Sequence, residues 1–357
     1  MTVADKTGGN SGQAGLPARF WAPSRHGDRR FFLTARGKVK SALRGWFEGE
    51  GFTEVECGAL QVSPGNEAHI QAFSSLFQRA GSDGTTVYLH TSPEFSCKKL
   101  LAAGETKIVD FARVFRNGET GPLHTPEFTM VEWYRAGAGY FDIMDDSVEI
   151  CRAAVRALGG AALTWRGRAC DPFADVEMLS VAAAFSRYAA MDLTAVLGDR
   201  DGLARAAVRA GVDVQGDDCW SDIFSKVIVM RIEPQLGEGR LTCLYEYPLA
   251  EAALAQPAAR DPRFAERFEL YACGVELANG FGELTDAAVQ RQRFQDEMAE
   301  MARVYGRAYP LDEDFLAALE VMPAASGVAL GFDRLVMLAA GARHINDVLW
   351  TPFPYTE

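Results

Sequence analysis

Apolar positions along the chain change period several times, and each change predicts an element. From Phe31 to Glu50 the residues Leu33, Val39, Leu43, Trp46 and Phe47 recur at near-helical spacing, and Gly51 closes the helix they predict. The next segment, "FTEVEC" (52–57), alternates apolar and polar residues as a half-buried strand does. "TVYLH" (86–90) predicts a second strand. In the "TSPEFSCKKLLAAG" that follows, Ser92 is an expected N-cap, Pro93 suits the first helical turn and Gly104 is a stop. "KIVDFARVF" and "EFTMVEWY" are β-branched and aromatic, and the "RNGETGPLHT" between them holds two glycines and a proline, so this stretch reads strand, long loop, strand.

A helix is expected at about 142–158. Residues 159–240, Ala-rich and mostly helical in pattern, are expected to form an insertion packed over the site. "RFAERFELYACGVELANGFGELTD" returns to strands and turns near Cys273–Gly274. A long helix runs from Asp286 to Gly306, and a last strand, 327–332, enters the helix "DRLVMLAAG". Strands separated by long sequence without regular βαβ alternation favour an α+β fold with an antiparallel sheet flanked by helices. Residues 1–30, Gly/Ser/Pro-rich over most of their length, are expected to be a disordered tail preceding one catalytic domain at 31–357.

Composition narrows the class. No apolar run is long enough to span a bilayer, and the N-terminus lacks the basic start and apolar core of a signal peptide. Seven cysteines without a CxxC pair argue against a zinc ribbon or a disulfide framework. They fit buried thiols in a reduced, cytoplasmic compartment. A net charge of −12 weighs against a large nucleic-acid interface, although 36 Lys and Arg leave room for a local basic patch.

Three stretches carry candidate chemistry. In "ARVFRNGETGPLHTPEF", Arg116 stands where a strand gives out and can fork onto a phosphate. Phe128 on the return strand can offer a purine a stacking surface, and His124 lies in the loop between them. In "ERFELYACGVELANGFGEL", Glu269, Glu276 and Glu283 are spaced by seven. A turn at Cys273–Gly274 would set Glu269 nearly opposite Glu276, a pair able to share a divalent cation. In "SGVALGFDRL", Gly327 and Gly331 let backbone approach a ligand, and Arg334 at a helix start can reach a terminal phosphate.

Together these stretches resemble the class II aminoacyl-tRNA synthetases. "GFTEVEC" with its preceding helix is similar to motif 1, "FRNGE…HTPEF" to motif 2 and "GVALGFDRL" to motif 3. "TSPE", "RNGE", "HTPEFTMVEWY", "ELANGFGELTD" and "GVALGFDR" place the resemblance in the lysine subfamily, over about residues 31–350. Motif 1 begins near residue 32, which leaves no room before it for the anticodon-binding barrel of lysyl-tRNA synthetases. The chain therefore resembles the short ligases of the subfamily, which activate lysine or (R)-β-lysine with ATP and attach it to a lysine side chain of elongation factor P.

The resemblance implies roles residue by residue. Arg116 neutralises the α-phosphate, and Arg334 meets the adenine or the end of the bent triphosphate. Asn117, Gly118, Glu119, His124, Thr125, Phe128, Glu276, Leu277 and Gly331 complete the ATP site, and Glu269 and Glu276 hold Mg²⁺. Ser92, Pro93 and Glu94 meet the amino end of the substrate. Tyr134, with Glu132 nearby, and Glu283 bind the distal ammonium, and Asn279 and Ala329 line the pocket.

A homodimer with no membrane association is implied, and tRNA is disfavoured as a partner. A truncated lysyl-tRNA synthetase and a silent amino-acid-binding paralogue are the competing readings. The chain departs from the family pattern at Gly58, where motif 1 has proline, at Gly118 in place of the Arg-x-Glu acid, at Thr125 and at Glu251. Ala329 replaces a glycine of lysyl-tRNA synthetases and is expected to favour an amino group one carbon further along.

Overall fold

The computed structural model describes residues 19–81 and 83–354. The tail expected at 1–18 lies outside the described residues. Its last part is corrected: helix α1 spans Pro23–Gly49 and starts well before Phe31. Proline in the first turn costs no intrahelical hydrogen bond, and the early turns are anchored through Arg29, which donates to the Leu349 carbonyl. An arginine used as an anchor is invisible to an apolar-periodicity reading.

The remaining elements are, in chain order, β1 (Thr53–Val55), β2 (Leu60–Gln61), β3 (Ser74–Phe77), β4 (Thr85–Leu89), α2 (Glu94–Ala102), β5 (Lys107–Phe115), β6 (Glu127–Ala136) and α3 (Tyr140–Ala157). Next come β7 (Leu163–Trp165), β8 (Arg168–Asp171), β9 (Glu177–Ser180), α4 (Val181–Ala189), α5 (Arg200–Arg209), α6 (Trp220–Val227) and β10 (Gly239–Arg240). The last group is β11 (Thr242–Pro248), β12 (Phe264–Ala272), β13 (Val275–Gly282), α7 (Ala287–Tyr305), α8 (Glu313–Leu319), β14 (Ala325–Gly331), α9 (Phe332–Ala340) and α10 (Ile345–Val348).

Eight strands form one sheet in the order β1-β5-β6-β14-β13-β12-β11-β9. The expected α+β fold holds. The sheet is antiparallel through its six central strands, but β1 joins β5 and β9 joins β11 in parallel, so the whole is mixed. Period-two alternation divides its residues sharply. One cross-strand row reads Phe111, Val131, Leu330, Ala278, Leu270, and packs with α1, α3 and α9 into the main core. Burying Val131, Leu330 and Leu270 contributes about 1.5–3 kcal/mol each. The adjacent row, on the opposite face, reads Asp110, Glu132, Ala329, Asn279, Glu269. The hydrophobic row fixes the register, and the register assembles the polar one.

Three further expectations are corrected. Ser92 does not cap α2; Pro93 occupies the N-cap position and makes no side-chain cap. Residues 159–240 contain α4–α6 but also the small β7-β8-β10 sheet and β9. Leu163, Trp165 and Cys170 join the main core, whereas the part from Leu179 to Leu236 builds its own core against β11; none of the segment's residues lines the cleft, so it sits at the sheet edge rather than over the site. Glu276 pairs with Tyr271 and Glu269 with Asn279, because an extra residue at Leu277 bulges β13. The chain does turn at Cys273–Gly274, with positive φ at both. The bulge brings Glu276 and Asn279, three apart in sequence, onto the same face.

Candidate active site

The polar row floors a cleft of about 300 Å³. Ser92, Glu94, Arg116, Glu119, His124, Thr125, Phe128, Glu132, Glu269, Glu276, Leu277, Asn279, Ala329, Gly331 and Arg334 all line it. Strand pairing and the motif 2 loop thus bring together residues up to 242 positions apart in sequence, from Ser92 to Arg334. Pro93, Asn117, Gly118, Tyr134 and Glu283 do not line the cleft: Tyr134 and Glu283 are buried behind the lining, and Asn117 and Gly118 are exposed in the β5–β6 loop. Gly118, at φ +85, turns the loop so that the next residue, Glu119, enters the cleft 3.8 Å from Arg116. That turn accounts for the acid standing one place later than in the family pattern.

One end of the cleft is basic and aromatic. Arg116 leaves β5 beside Phe128, its guanidinium 5.4 Å from the ring centroid, with Nε donating to the Thr91 carbonyl at 3.3 Å. Arg334 donates to the carbonyls of Leu123 and Glu276 at 3.3 and 3.0 Å, and to His124 Nε2 at 2.7 Å. That bond makes Nε2 the acceptor and puts the ring proton on Nδ1. Burial, then the Arg334 charge, lowers the His124 pKa. The neighbouring Asp333 is buried, ion-paired with Arg36 of α1, and accepts from the Thr129 N–H at 2.9 Å, which locks α9 to β6. Thr125, where the family often has asparagine, has its hydroxyl buried here without a partner.

The other end is acidic. Glu132 is buried, and its Oε1 accepts from the Tyr134 hydroxyl at 2.5 Å while Oε2 has no partner. Burial, then Glu94, holds its carboxyl well above the usual range. Two places along the same row, past Ala329, Asn279 Oδ1 is also buried without a partner. Behind them Lys98, fully buried, sets its ammonium 2.6 Å from Glu94 Oε1 and 2.6 Å from Glu283 Oε2. Burial alone would lower the Lys98 pKa, but Glu283 and Glu94 outweigh it and hold the ammonium charged. Burial pushes Glu283 up to about 7. Gly327 makes this crowding possible: a Cβ there would lie 2.2 Å from Tyr134 and 2.6 Å from Glu283.

Two acids suit a cation at the basic end. Glu269 and Glu276 share a sheet face; Glu269 accepts from Arg267 at 2.6 Å and from the Tyr271 hydroxyl, and Glu276 is partly exposed to the cleft. Each carboxylate oxygen keeps a lone pair beyond these bonds, so the pair fits a hard cation that takes one or two carboxylates plus phosphate oxygens.

Sequence reasoning missed three residues. Lys98 was hidden inside an ordinary-looking helix. Arg267, which holds Glu269, carried no signal beyond its spacing. Glu67 lies in the loop between β2 and β3, lines the cleft, and is pushed up to about 7 by burial and then Glu94. That loop is tied down by Asn117 N–H to the Gln71 carbonyl at 2.6 Å, and by Ala68 N–H to Glu297 at 2.8 Å. Glu251 does not line the cleft; it accepts from the Ser221 hydroxyl at 2.5 Å.

A basic, aromatic subsite for a nucleotide joined to a buried carboxylate subsite, on a largely antiparallel sheet closed by the β14–α9 corner, is the arrangement of a class II synthetase. The chain belongs to that family: residues 16–357 match the family described as tRNA synthetases class II (D, K and N). Among its relatives, the elongation factor P–(R)-β-lysine ligase of Edwardsiella ictaluri is 36% identical over 89% of this chain and 93% of its own length. The ligases of the same name from Pectobacterium atrosepticum and Proteus mirabilis are each 37% identical, covering 89% and 90% of this chain and 93% and 94% of their own lengths.

Proposed function

We propose that the protein activates (R)-β-lysine, or lysine, with ATP as an aminoacyl-adenylate and transfers it to a lysine side chain of elongation factor P. The observation that carries this reading is the pair of unpartnered buried acceptors, Glu132 Oε2 and Asn279 Oδ1, on either side of Ala329. Two acceptors in a site with excess carboxylate call for a ligand rich in N–H donors and positive charge. The names of the relatives agree with it.

Adenylation needs no protein nucleophile. A carboxylate oxygen of the amino acid attacks the α-phosphorus, the bond to the bridging oxygen breaks, and pyrophosphate leaves with the electron pair. Arg116, at the mouth of the β5–β6 loop, neutralises the charge building on the α-phosphate, and Phe128 supports the adenine. Arg334, oriented by His124 and two carbonyls, holds the nucleotide's far side. Glu269 and Glu276 would hold Mg²⁺, which supplies further neutralisation of the triphosphate. Glu94, Glu132 and Asn279 receive the substrate's amino groups, with Tyr134, Glu283 and Lys98 fixing their positions. In transfer, the acceptor amine attacks the acyl carbon, AMP leaves, and the amine loses one proton.

The protein acts as a homodimer in a reducing, cytoplasmic setting. Seven free thiols fit that compartment, and among the described residues no helix is long and apolar enough to cross a membrane. Leu60, Val62, Leu76 and Phe77, at least half exposed around the β2-β4-β3 sheet, offer an apolar face for a second copy. Phe77→Glu is expected to yield a monomer in sedimentation; an unchanged dimer would place the interface elsewhere.

The deciding experiment is the intact mass of elongation factor P after incubation with enzyme, ATP and (R)-β-lysine. A gain of one β-lysyl group is expected. An unshifted factor, with tRNA labelled instead, would reverse the reading, and absence of pyrophosphate exchange with every amino acid tried would make the protein a silent binder.

A further inference from the structure

Behind the acidic end of the cleft, three donor side chains converge that play no part in the reaction above. Cys57 lies just past β1, Cys97 in α2 and Asp110 in β5, and one ligand atom from each lies within 4.8 Å of the others. The two sulfurs are 3.7 Å apart. A tetrahedral cation with metal–sulfur bonds of about 2.3 Å sets its sulfur ligands about 3.8 Å apart. Cys97 and Asp110 are buried and Cys57 is half-buried, which leaves an entry side at Cys57. The carboxylate is pre-oriented, Asp110 Oδ2 accepting from the Cys57 N–H at 3.0 Å.

A second, independent observation points the same way. Asp110 stands directly opposite Glu132 on the neighbouring strand, so a second buried carboxyl group adjoins the cluster. Glu132 Oε2 has no partner, and the buried ammonium nearby, Lys98, is engaged by Glu94 and Glu283. A bound cation would supply the positive charge that these two neighbouring carboxyl groups lack.

We propose that Cys57, Cys97 and Asp110 form a site for a thiophilic divalent cation of the Zn²⁺ class, which staples the end of β1 and α2 to β5. Binding exchanges one divalent cation for two thiol protons: two metal–sulfur bonds and one metal–oxygen bond form, and no electrons are transferred. Thiolate donors select against Mg²⁺, so the site is chemically separate from Glu269 and Glu276. It escapes a spacing search because its two cysteines lie 40 residues apart on different elements. It does not depend on the identity of the amino acid or acceptor.

The test uses the full chain, reduced and chelator-treated, titrated with Cd²⁺ while Mg²⁺ in excess occupies hard sites. The expected result is a thiolate-to-cadmium absorption band that saturates at one cation per chain, is lost in Cys57→Ser and in Cys97→Ser, and is weakened in Asp110→Asn. Zn²⁺ in large excess should weaken the band by competition, and Zn²⁺ alone should raise the melting midpoint of the wild type but not of Cys57→Ser. No band, or a band of equal strength in the Cys57→Ser/Cys97→Ser double variant, overturns the site. So does loss of both thiols to a disulfide under mild oxidation at the same rate with and without Zn²⁺.

Discussion

The two ends of the cleft handle charge in opposite ways. At the basic end the arginines stay partly open: the side chains of Arg116 and Arg334 are 24% and 22% exposed, each has only a long ion pair, to Glu119 at 3.8 Å and to Glu276 at 3.4 Å, and their other hydrogen bonds go to carbonyls and a neutral histidine. At the acidic end Lys98 is wholly buried and already paired, while Glu132 Oε2 and Asn279 Oδ1 wait without partners. The open end suits a highly charged ligand that brings its own solvation and cation. The closed end suits a ligand whose ammonium must be stripped of water and repaid by carboxylate bonds. Affinity for a nucleotide is therefore spread over many weak screened contacts, whereas selection of the amino acid is concentrated in a few dry ones.

Replacing Lys98 is the most severe test of the closed end. Lys98→Met leaves Glu94 and Glu283 without their buried counter-ion and is expected to cost about 3–5 kcal/mol of stability, read by denaturant unfolding. The double variant Lys98→Met/Glu283→Gln should recover a large part of that loss. Additive losses would mean that the ion pair is not the source of the effect. At the open end, Arg116→Ala should leave the melting midpoint nearly unchanged and slow adenylate formation by about 10²–10³-fold, measured by pyrophosphate exchange. A loss confined to KM for ATP would make Arg116 a binding group rather than a stabiliser of the reacting phosphate.

How far the sequence spoke for itself also differs between the two ends. Arg116, His124, Phe128 and Arg334 lie in short local patterns with glycine and proline punctuation, and the structure gathers them as their spacing suggested. The acidic end was only partly readable. Glu132 and Asn279 meet through strand register, and the displacement of Glu276 depends on one bulge at Leu277 that no alternation pattern announces. Lys98 and Glu67 act through burial, a property of the assembled fold. The same limit explains the early start of α1, held by a buried arginine, and the strands within 159–240, whose Ala-rich surroundings mask them. The antiparallel heart of the sheet was legible because its core row alternates cleanly. The two parallel edges were not, because pairing direction leaves no local trace.

Acidity separates the ends further. Glu67 and Glu283 both sit at about 7, raised from the usual carboxylate value by burial first. A carboxyl raised on folding stabilises the folded state at low pH, and this contribution is lost as pH rises through the folded value. Stability should therefore fall between about pH 4.5 and 7 from these groups, while ammonium binding in the cleft, which Glu67 lines and Glu283 backs through Lys98, should strengthen over the upper part of that window as both ionise. KM for the amino acid is expected to fall by up to about tenfold from pH 6 to 8, with KM for ATP changing less. Glu67→Gln should flatten part of that dependence. An unaltered profile would remove Glu67 from the amino-acid subsite.

The smallest expected effect tests the finest feature of the closed end. Ala329 lies in register between Glu132 and Asn279, so its methyl group is the floor between the two waiting acceptors. Its neighbour along β14 on the same face, Gly327, admits no side chain at all, because Tyr134 and Glu283 fill that space. The floor thus steps up by one carbon at Ala329, and a substrate lying across it is lifted where its amino group must reach the acceptors. Ala329→Gly lowers the step. A single methylene in such a pocket is worth about 1–3 kcal/mol of discrimination, so the ratio of kcat/KM for (R)-β-lysine to that for α-lysine should drop by about tenfold, through a gain for α-lysine. Equal losses for both amino acids would show the methyl group supporting the strand rather than reading the substrate. An unmoved ratio would transfer the choice of amino group to Glu94 and Glu132, which approach the cleft from α2 and β6.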